Sequence, residues 1–564
     1  MADEQNDVGN HSLERPAFGT LLALLVAPLM AQGLWRPLVH VFGPAGSAGA
    51  VTTAALGITA ATALVQALRP DRTQLLSLGL GFLIAAAATV GWSLGWAGLL
   101  TLLVTATGLT FLVRWLFPRL PSALHGLAKR YRVLTGIYVL MALLTVVSSA
   151  RVSIFMGDST RVDLQALPGE KFLETHSCLT AYVHADALSR QRVANLYETK
   201  WWHGAHGMPA HAAGVESPYQ PFLLDYYAYP PPFLLAMWPL APLAGDFAAQ
   251  RALWFGLNGL LFAVGLWVMA RWLDGPSSHR VLLLAPIFFG SLPVLATLQT
   301  GNFQVAVVTL AVLSMVAFHR DRHALGGALL AFAILSKISP GVLGIVLLAQ
   351  RRFRSAAWTA GFGVIFLALS VMTLGIQPLK AFLTYTLARI GSGEAFAFMD
   401  DNAFSILTNM SPFGLPFKLQ LLGVNVGDPW LVGRWLGRVY SAALVGVALL
   451  SARRLGDRRA QALSWMSLLV LAALQSPFGP AYTLIGLLWA ITLLTVEVQS
   501  LRGGLGLVLL WLGLVIVPPV SMSAHIIQSL LQSVLAVGVP VFLILRTARQ
   551  PESAAPIAAA NARP

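Results

Sequence analysis

Residues 356–375, AAWTAGFGVIFLALSVMTLG, form an uncharged and almost wholly apolar run that decides the fold class. Such a run has the ~20 residues that an α-helix needs to cross the hydrocarbon core of a bilayer. Similar runs recur along the chain, for example at residues 133–150 and 504–519. Their abundant Ala, Leu, Gly and Val suit helices, and they lack the two-residue alternation of a membrane barrel. We therefore expect an all-α polytopic integral membrane protein.

The overall composition agrees with this class. Of the 564 residues, 57% are hydrophobic and only 11% are charged. A soluble protein carries roughly 25% charged residues to cover its surface. Most of the surface must therefore face lipid, and the composition excludes a soluble protein.

The formal net charge of +14 is explained by membrane topology. Lys and Arg occur in short clusters between the apolar runs, and such clusters are retained in the cytoplasm during insertion. Pinning each cluster to the cytoplasm predicts cytoplasmic N- and C-termini in a plasma (bacterial inner) membrane. We therefore expect the protein to contact membrane lipids and to bind no nucleic acid.

The order of apolar and polar stretches predicts the organisation of the chain. Residues 230–246 are short, apolar and proline-rich, which indicates a re-entrant or partial helix. Ser339-Pro340-Gly341 breaks the apolar stretch 324–350 into two short helices. The predicted parts are a cytoplasmic tail at 1–16, four extra transmembrane helices at 17–132, a transmembrane core at 133–545 with extracytoplasmic segments at 151–229 and 376–436, and a cytoplasmic tail at 546–564.

Acidic residues are concentrated in the first extracytoplasmic segment. It holds eight of the 23 acids in the chain, whereas the predicted spans are nearly free of them. Ion-coupled transporters usually place ionisable residues within their spans, near the bilayer midplane. The distribution therefore favours chemistry or binding at the external membrane surface.

Several short motifs then resemble glycosyltransferase family 87. In chain order they are Asn195-Leu196-Tyr197-Glu198, Tyr229-Pro230-Pro231-Pro232-Phe233 with Trp238-Pro239-Leu240, Thr300-Gly301-Asn302-Phe303-Gln304, Leu335 to Pro340, and Gln475-Ser476-Pro477 with Tyr482. The resemblance covers about residues 172–485 and implies a GT-C-type helical bundle with two large extracytoplasmic segments. It also implies a polyprenyl-phosphate sugar donor, a glycolipid or glycan acceptor, and a sugar of the mannose or arabinofuranose type.

The family resemblance implies a catalytic carboxylate in the first extracytoplasmic segment. Phe172-Leu173-Glu174-Thr175-His176 is similar to the pattern that holds it, with Glu in place of the usual Asp. A carboxylate near the acceptor hydroxyl can take its proton as the new bond forms, which predicts inversion at the anomeric carbon. Glu174 is the first candidate, and Asp158 and Asp163 are alternatives that lie closer to the end of the span 133–150.

Other polar residues in or near the motifs are candidates for substrate binding. Lys337 could neutralise charge on the leaving phosphate, or it could simply extend its ammonium to the membrane interface. Amide and carboxylate groups can bind sugar hydroxyls, but loop residues that are merely solvated cannot be told apart from them in the sequence. The candidates are His176, Tyr229, Asn302, Gln304, Lys337, Asp400, Asp401 and Asn402.

Neither a metal site nor a cofactor is expected from the sequence. His203, His206 and His211 lack the regular spacing of zinc ligands. The single cysteine, Cys178, excludes an intramolecular disulfide and any cysteine-based metal site on this reasoning. The lipid-linked sugar donor would be a substrate.

Two other function classes stay open at this point. A lipid-linked glycan ligase or polymerase would use a polyprenyl diphosphate donor, so donor specificity separates it from the first reading. A transporter or flippase of lipid-linked sugars would show no sugar transfer in purified form.

Overall fold

The computed structural model describes residues 132–202, 217–273, 281–399, 403–452, 458–498, 501–515 and 521–549, apart from 282, 283 and 286. Five single residues between 29 and 40 are described as well. The region predicted to hold four extra helices, 17–132, therefore lies almost wholly outside the described residues. So do His203, His206 and His211, and Asp400, Asp401 and Asn402.

The described chain is built from α-helices and short 3₁₀ turns, and no β-strand occurs within it. This confirms the all-helical prediction for the described ranges. In chain order the described elements begin with α1 (Arg132–Gly157), α2 (Lys171–Thr175), α3 (Cys178–Arg190), a 3₁₀ helix (Pro231–Leu243), α4 (Phe247–Leu273), α5 (Leu292–Thr300) and α6 (Gln304–His319). The later helices are α7 (His323–Ser336), α8 (Val342–Ala349), α9 (Phe353–Leu374), α10 (Gln377–Ala381), α11 (Leu387–Ser392), α12 (Ala403–Thr408), α13 (Leu415–Leu421), α14 (Pro429–Ser451), α15 (Arg458–Ala473), α16 (Ile485–Leu494), α17 (Leu501–Val515) and α18 (Met522–Arg549).

Three of the described helices, α4, α9 and α18, are long and apolar enough to cross a membrane. Helices α5 and α6 are bent by 110° and could together form a fourth span. The sequence predicts two separate spans here, at 282–299 and 303–318. Described residues between 281 and 289 are helical as well as α5, so the division into one or two spans stays a prediction.

Both predicted extracytoplasmic segments contain helices in their described parts. Helix α1 continues past the predicted boundary at 150 to Gly157, and α2 and α3 follow it. The described part of the second segment holds α10 to α13. Both segments therefore contain helical structure within their described residues.

The proline-rich stretch after Tyr229 forms the partial helix expected from its sequence. It is a 3₁₀ helix from Pro231 to Leu243, with prolines at its start and in its interior. The break expected in 324–350 is present too, since α7 ends at Ser336 and a 3₁₀ turn at Ser339–Gly341 precedes α8. Proline lacks the N–H that a continuous helix requires, which explains both features.

The chain divides into two compact units. The first comprises Met1–Thr309 and Leu367–Ala388, and the second comprises Leu310–Phe366 and Arg389–Pro564. One buried cluster in the first unit consists of Ile154, Phe155, Leu164 and Phe222. A cluster in the second unit consists of Met399, Ile406, Phe413 and Phe417.

Arg251 holds the end of α1 in the first unit. It lies on α4 and is 2% exposed. Its Nη1 donates to the carbonyl oxygens of Phe155 at 2.9 Å and Met156 at 3.4 Å. The guanidinium also lies over the rings of Phe155 and Phe222. A cation is favoured at the C-terminal end of a helix. Arg251 therefore stabilises the C-terminal end of α1, from which the chain continues into residues 158–177.

Candidate functional site

The motif Thr300–Gln304 forms a sharp turn between α5 and α6. Gly301 has φ of +73°, a left-handed conformation that favours glycine. The Asn302 side chain accepts a hydrogen bond from the backbone N–H of Gln304 at 3.1 Å and so starts α6. Asn302 and Gln304 are 4% and 2% exposed. Their burial indicates a structural role in the turn, and direct contact with a substrate stays a prediction.

The turn and the residue before it are bonded to the first of the two segments predicted to be extracytoplasmic. The Gln299 side chain accepts from the backbone N–H of Ala166 at 2.6 Å and donates to the carbonyl of Leu173 at 2.9 Å. Ser177 donates to the carbonyl of Thr300 at 3.5 Å. On the other side, the indole N–H of Trp254 donates to the carbonyl of Gly301 at 2.8 Å. Hydrogen bonds from Gln299 and the turn therefore hold residues 166, 173 and 177 in place.

Glu174 lies in α2, directly beside the part of the segment that Gln299 holds. Its Oε1 accepts a hydrogen bond from the Gln165 side chain at 3.3 Å, and Glu174 itself is half-buried. The backbone of α2 starts with Glu170, whose side chain accepts from the N–H of Phe172. Glu174 is thus an oriented carboxylate that keeps part of its surface open to a substrate.

The two alternative acids have different surroundings. The Asp158 carboxylate accepts from the backbone N–H of Thr160 at 3.1 Å and from its hydroxyl at 2.7 Å, which closes the turn after α1. The Asp163 side chain is 64% exposed and faces the Arg161 guanidinium at 3.5 Å. The hydrogen-bond and ion-pair partners of Asp158 and Asp163 therefore differ from Gln165, the partner of Glu174.

A second polar cluster lies next to Glu174 in the chain and consists of His176, Cys178 and Asp225. The His176 Nε2 atom lies 3.4 Å from the Cys178 sulfur and 3.8 Å from the Asp225 Oδ2 atom. The Asn302 amide donates to the same sulfur at 3.4 Å. Burial raises the pKa of Asp225 to about 7, although the N–H of Tyr226 donates to its carboxylate at 3.0 Å. The side chain of Asp225 is still 22% exposed.

The tyrosines of two motifs are bonded to each other beside this cluster. The hydroxyl of Tyr197 donates to the carbonyl of Tyr229 at 2.9 Å, and the hydroxyl of Tyr182 donates to that of Tyr229 at 3.1 Å. The Tyr182 oxygen also accepts from the backbone N–H of Phe303 at 3.5 Å. Tyr182 therefore connects the proline-rich motif with the turn at Thr300–Gln304, and the first three of the quoted motifs meet in the first unit.

The comparison with known families decides between the function classes at the coarse level. A family model of glycosyltransferase family 87 matches residues 227–477. The chain carries a glycosyltransferase family 87 region. The resemblance that the motifs indicated is confirmed over these residues, and the family indicates a glycosyltransferase. No curated protein and no solved structure matches the chain significantly.

The matched region and the candidate acids are different parts of the chain. The match begins at Tyr227, so Asp158, Asp163, Glu174 and Asp225 all precede it. The turn at Thr300–Gln304 lies inside the match and makes the bonds to the preceding segment described above. The geometry thus links the family region to the acids that the sequence analysis selected.

Lys337 lies in the second unit, at the C-terminal end of α7. Its ammonium nitrogen is 4.4 Å from the centroid of the Tyr482 ring. This cation–π contact joins two of the motifs quoted above and holds the ammonium at the break between α7 and α8. Its side chain is half-buried, so the ammonium has an oriented position.

Sequence reasoning did not select three side chains that the structure places in or beside the candidate site. Asp225 was counted among the eight acids but not selected, because its motif signal is absent and its burial depends on contacts distant in sequence. A single cysteine excludes a metal site only if cysteine alone supplies the ligands. Cys178 lies with His176 and Asp225, so the exclusion of a metal site from the cysteine count is too strong. Arg251 could have been found, since an arginine inside a predicted span requires a buried partner.

Proposed function

We propose that the chain transfers one sugar, of the mannose or arabinofuranose type, from a polyprenyl phosphate to a glycolipid or glycan acceptor on the extracytoplasmic face. The family match supports sugar transfer. The observation that carries the proposal is the turn at Thr300–Gln304, which lies in the family region and, with Gln299 before it, fixes the segment that holds Glu174. An oriented, half-buried carboxylate beside a family motif is what a transferase of this kind requires.

In the proposed mechanism, Glu174 is the general base. The acceptor hydroxyl has a very high pKa, and Glu174 takes its proton as the oxygen attacks the anomeric carbon. The bond from that carbon to the phosphate breaks, and the polyprenyl phosphate leaves with the bonding electrons. A single displacement inverts the anomeric configuration and needs no covalent sugar–enzyme intermediate.

Lys337 is proposed to stabilise the leaving phosphate. Charge grows on the phosphate as the bond breaks, and a positioned ammonium lowers the energy of that state. We expect Lys337→Met to lower turnover by roughly 10- to 10³-fold while the protein stays folded. Tyr482→Phe keeps the ring under the ammonium and should stay active. Normal turnover by a well-folded Lys337→Met variant would restrict Lys337 to an anchoring role.

Donor specificity tests the proposed reaction directly. Purified protein in lipid nanodiscs would be given polyprenyl-phosphate mannose, polyprenyl-phosphate arabinofuranose or a polyprenyl-diphosphate sugar, with a glycolipid fraction as acceptor. We expect transfer from a monophosphate donor and an inverted anomeric centre in the product. Transfer only from the diphosphate donor would establish a ligase or polymerase. Movement of the lipid-linked sugar across the bilayer without transfer would establish a flippase.

A further inference from the structure

The cluster of His176, Cys178 and Asp225 has the composition and spacing of a metal site. One ligand atom from each residue lies within 4.8 Å of the other two. In a tetrahedral site with metal–ligand bonds of about 2.0–2.3 Å, the ligand atoms are roughly 3.3–3.7 Å apart. The His176 nitrogen already lies 3.4 Å from the sulfur and 3.8 Å from the carboxylate oxygen. The third distance, from the Cys178 sulfur to the Asp225 carboxylate, lies within the same 4.8 Å.

The backbone sets this convergence. His176 and Ser177 are extended, so the side chains of His176 and Cys178 lie on the same side of the chain. His176 pairs with Leu223 in an isolated β-bridge, in which the N–H of Leu223 donates to the carbonyl of Thr175 at 2.8 Å. The Thr180 hydroxyl accepts from the N–H of Asp225 at 3.0 Å and fixes the neighbouring strand-like residues.

Surrounding groups orient the ligands in the way that second-shell groups do in metal proteins. The His176 ring stacks on Phe172 with centroids 4.3 Å apart. The Asn302 amide donates to the Cys178 sulfur, and its orientation is fixed because its oxygen accepts from the N–H of Gln304. An N–H donor favours the thiolate form of cysteine, which is the form that binds metals.

From this geometry we propose that His176, Cys178 and Asp225 bind a zinc ion and leave a fourth position open to water or to a substrate oxygen. Thiolate and imidazole ligands select zinc over calcium and magnesium, which prefer oxygen. Three protein ligands with one open position are the arrangement of reactive zinc sites, whereas structural sites have four ligands. The exposed fraction of Asp225, 22%, leaves a path to that position. The proposed base, Glu174, is outside the ligand set.

Metal binding can be measured without sugar transfer, so this proposal and the proposed function fail independently. Purified protein would be stripped with a chelator, loaded with Zn²⁺ or Co²⁺, and analysed by mass spectrometry for metal content. We expect about one ion per chain and a near-ultraviolet thiolate-to-cobalt absorption band in the Co²⁺ form. Added Zn²⁺ should also raise the melting temperature of the stripped protein, because it binds only the folded state.

Variants then assign the ligands. Cys178→Ser should remove the thiolate–cobalt band. If that variant fails to fold, Asp225→Asn provides a second test, because it should lower the affinity for zinc. Asn302→Ala should weaken binding by roughly 10- to 100-fold, as expected for a second-shell change. His184→Gln is the matched control, because His184 lies in the same segment but faces the carbonyl of Trp201. Absence of the cobalt band in the wild-type protein, or zinc binding that none of the variants changes, would overturn the proposal.

Discussion

Glu174 and Asp225 are acids of the same segment, but their surroundings give them different uses. Glu174 accepts one hydrogen bond from a neutral amide and is half-buried. Asp225 lies against an imidazole and a thiol, and burial raises its pKa. The first environment suits a carboxylate that meets a substrate hydroxyl, and the second suits a ligand group.

The Glu174→Gln substitution tests the proposed base. It preserves the size of the side chain and can still accept from Gln165, but it removes the proton acceptor. We expect turnover to fall by about 10²- to 10⁴-fold, the usual cost of losing a general base. Donor binding, measured by titration with a labelled lipid donor, should change little.

Asp158→Asn and Asp163→Asn are the controls for this substitution. Asp158 closes the turn after α1 and Asp163 is largely exposed, so we expect their variants to retain most activity. An inactive Asp158→Asn or Asp163→Asn protein beside an active Glu174→Gln protein would transfer the catalytic assignment to that aspartate. Full activity in all three would contradict the mechanism.

Lys418 makes the stability of the second unit dependent on pH. Its side chain is fully buried, and its ammonium donates to the carbonyl of Ser529 at 3.2 Å and to the hydroxyl of Ser533 at 2.7 Å. Both partners are uncharged. Burial therefore lowers the pKa of Lys418 to about 7 from 10.5.

Because the folded-state pKa is lower than the unfolded one, the unfolded chain binds more protons between pH 7 and 10.5. Stability should therefore rise with pH across this window, by at most about 1.4 kcal/mol per pH unit. Melting temperatures of the wild type and of Lys418→Met in detergent, from pH 6.5 to 9.5, would measure the effect. The wild type should gain on the variant as pH rises, whereas the exposed Lys380→Met control should not show such a trend. A constant difference would contradict the assignment.

At the scale of elements, the turn between α5 and α6 carries most of the organisation of the site. The sequence predicted the motif and its place at the start of a helix. It did not predict the 110° bend between α5 and α6, because the bend depends on one backbone conformation at Gly301 and on contacts with Trp254 and Leu179. The hydrophobic pattern alone indicates two separate apolar segments.

Replacing Gly301 with Ala tests the role of the turn. The added Cβ would lie 3.3 Å from the Trp254 ring and 3.4 Å from the Leu179 Cβ, at φ of +73°. The left-handed conformation alone costs a non-glycine residue about 1–2 kcal/mol. We expect a lower melting temperature and lower turnover, because the bonds from the turn to the segment that holds Glu174 would shift.

Gly375→Ala separates strain from position. Gly375 also has a positive φ, +84°, but an added Cβ would meet nothing within 4 Å. We expect the Gly375→Ala variant to lose about as much stability as Gly301→Ala and to keep the turnover of the wild type. If both variants have the same turnover at a temperature where both are folded, the turn does not position the site.

At the scale of the whole molecule, composition was sufficient for the fold class but not for the internal arrangement. Long apolar runs without two-residue alternation predict helices, because only helices and closed barrels satisfy the backbone in lipid. The pattern does not predict the helices within the segments 151–229 and 376–436, because polar residues interrupt the apolar periodicity of short helices such as α2 and α3. The meeting of His176, Cys178 and Asp225 depends on a pairing between residues about 50 apart in sequence, which one sequence does not reveal.

The predicted orientation of the chain can be tested along α4. This helix has 27 residues, enough at ~1.5 Å per residue to cross a bilayer core. Phe247 at its start packs on Phe222 and Tyr219 of the acid-bearing segment. The predicted topology places that end outside and the end that carries Arg271 inside, because basic residues are retained in the cytoplasm.

Single cysteines introduced in a Cys178→Ser background would report the orientation. Lys200→Cys lies in the acid-bearing segment, where the side chain of Lys200 is 60% exposed. Ser277→Cys lies in the stretch that follows α4. A membrane-impermeant maleimide added to intact cells should label position 200 and should reach position 277 only after the membrane is opened. The reverse pattern would place the site on the cytoplasmic face, where a lipid-linked donor presented outside could not reach Glu174, and the proposed acceptor side would be wrong.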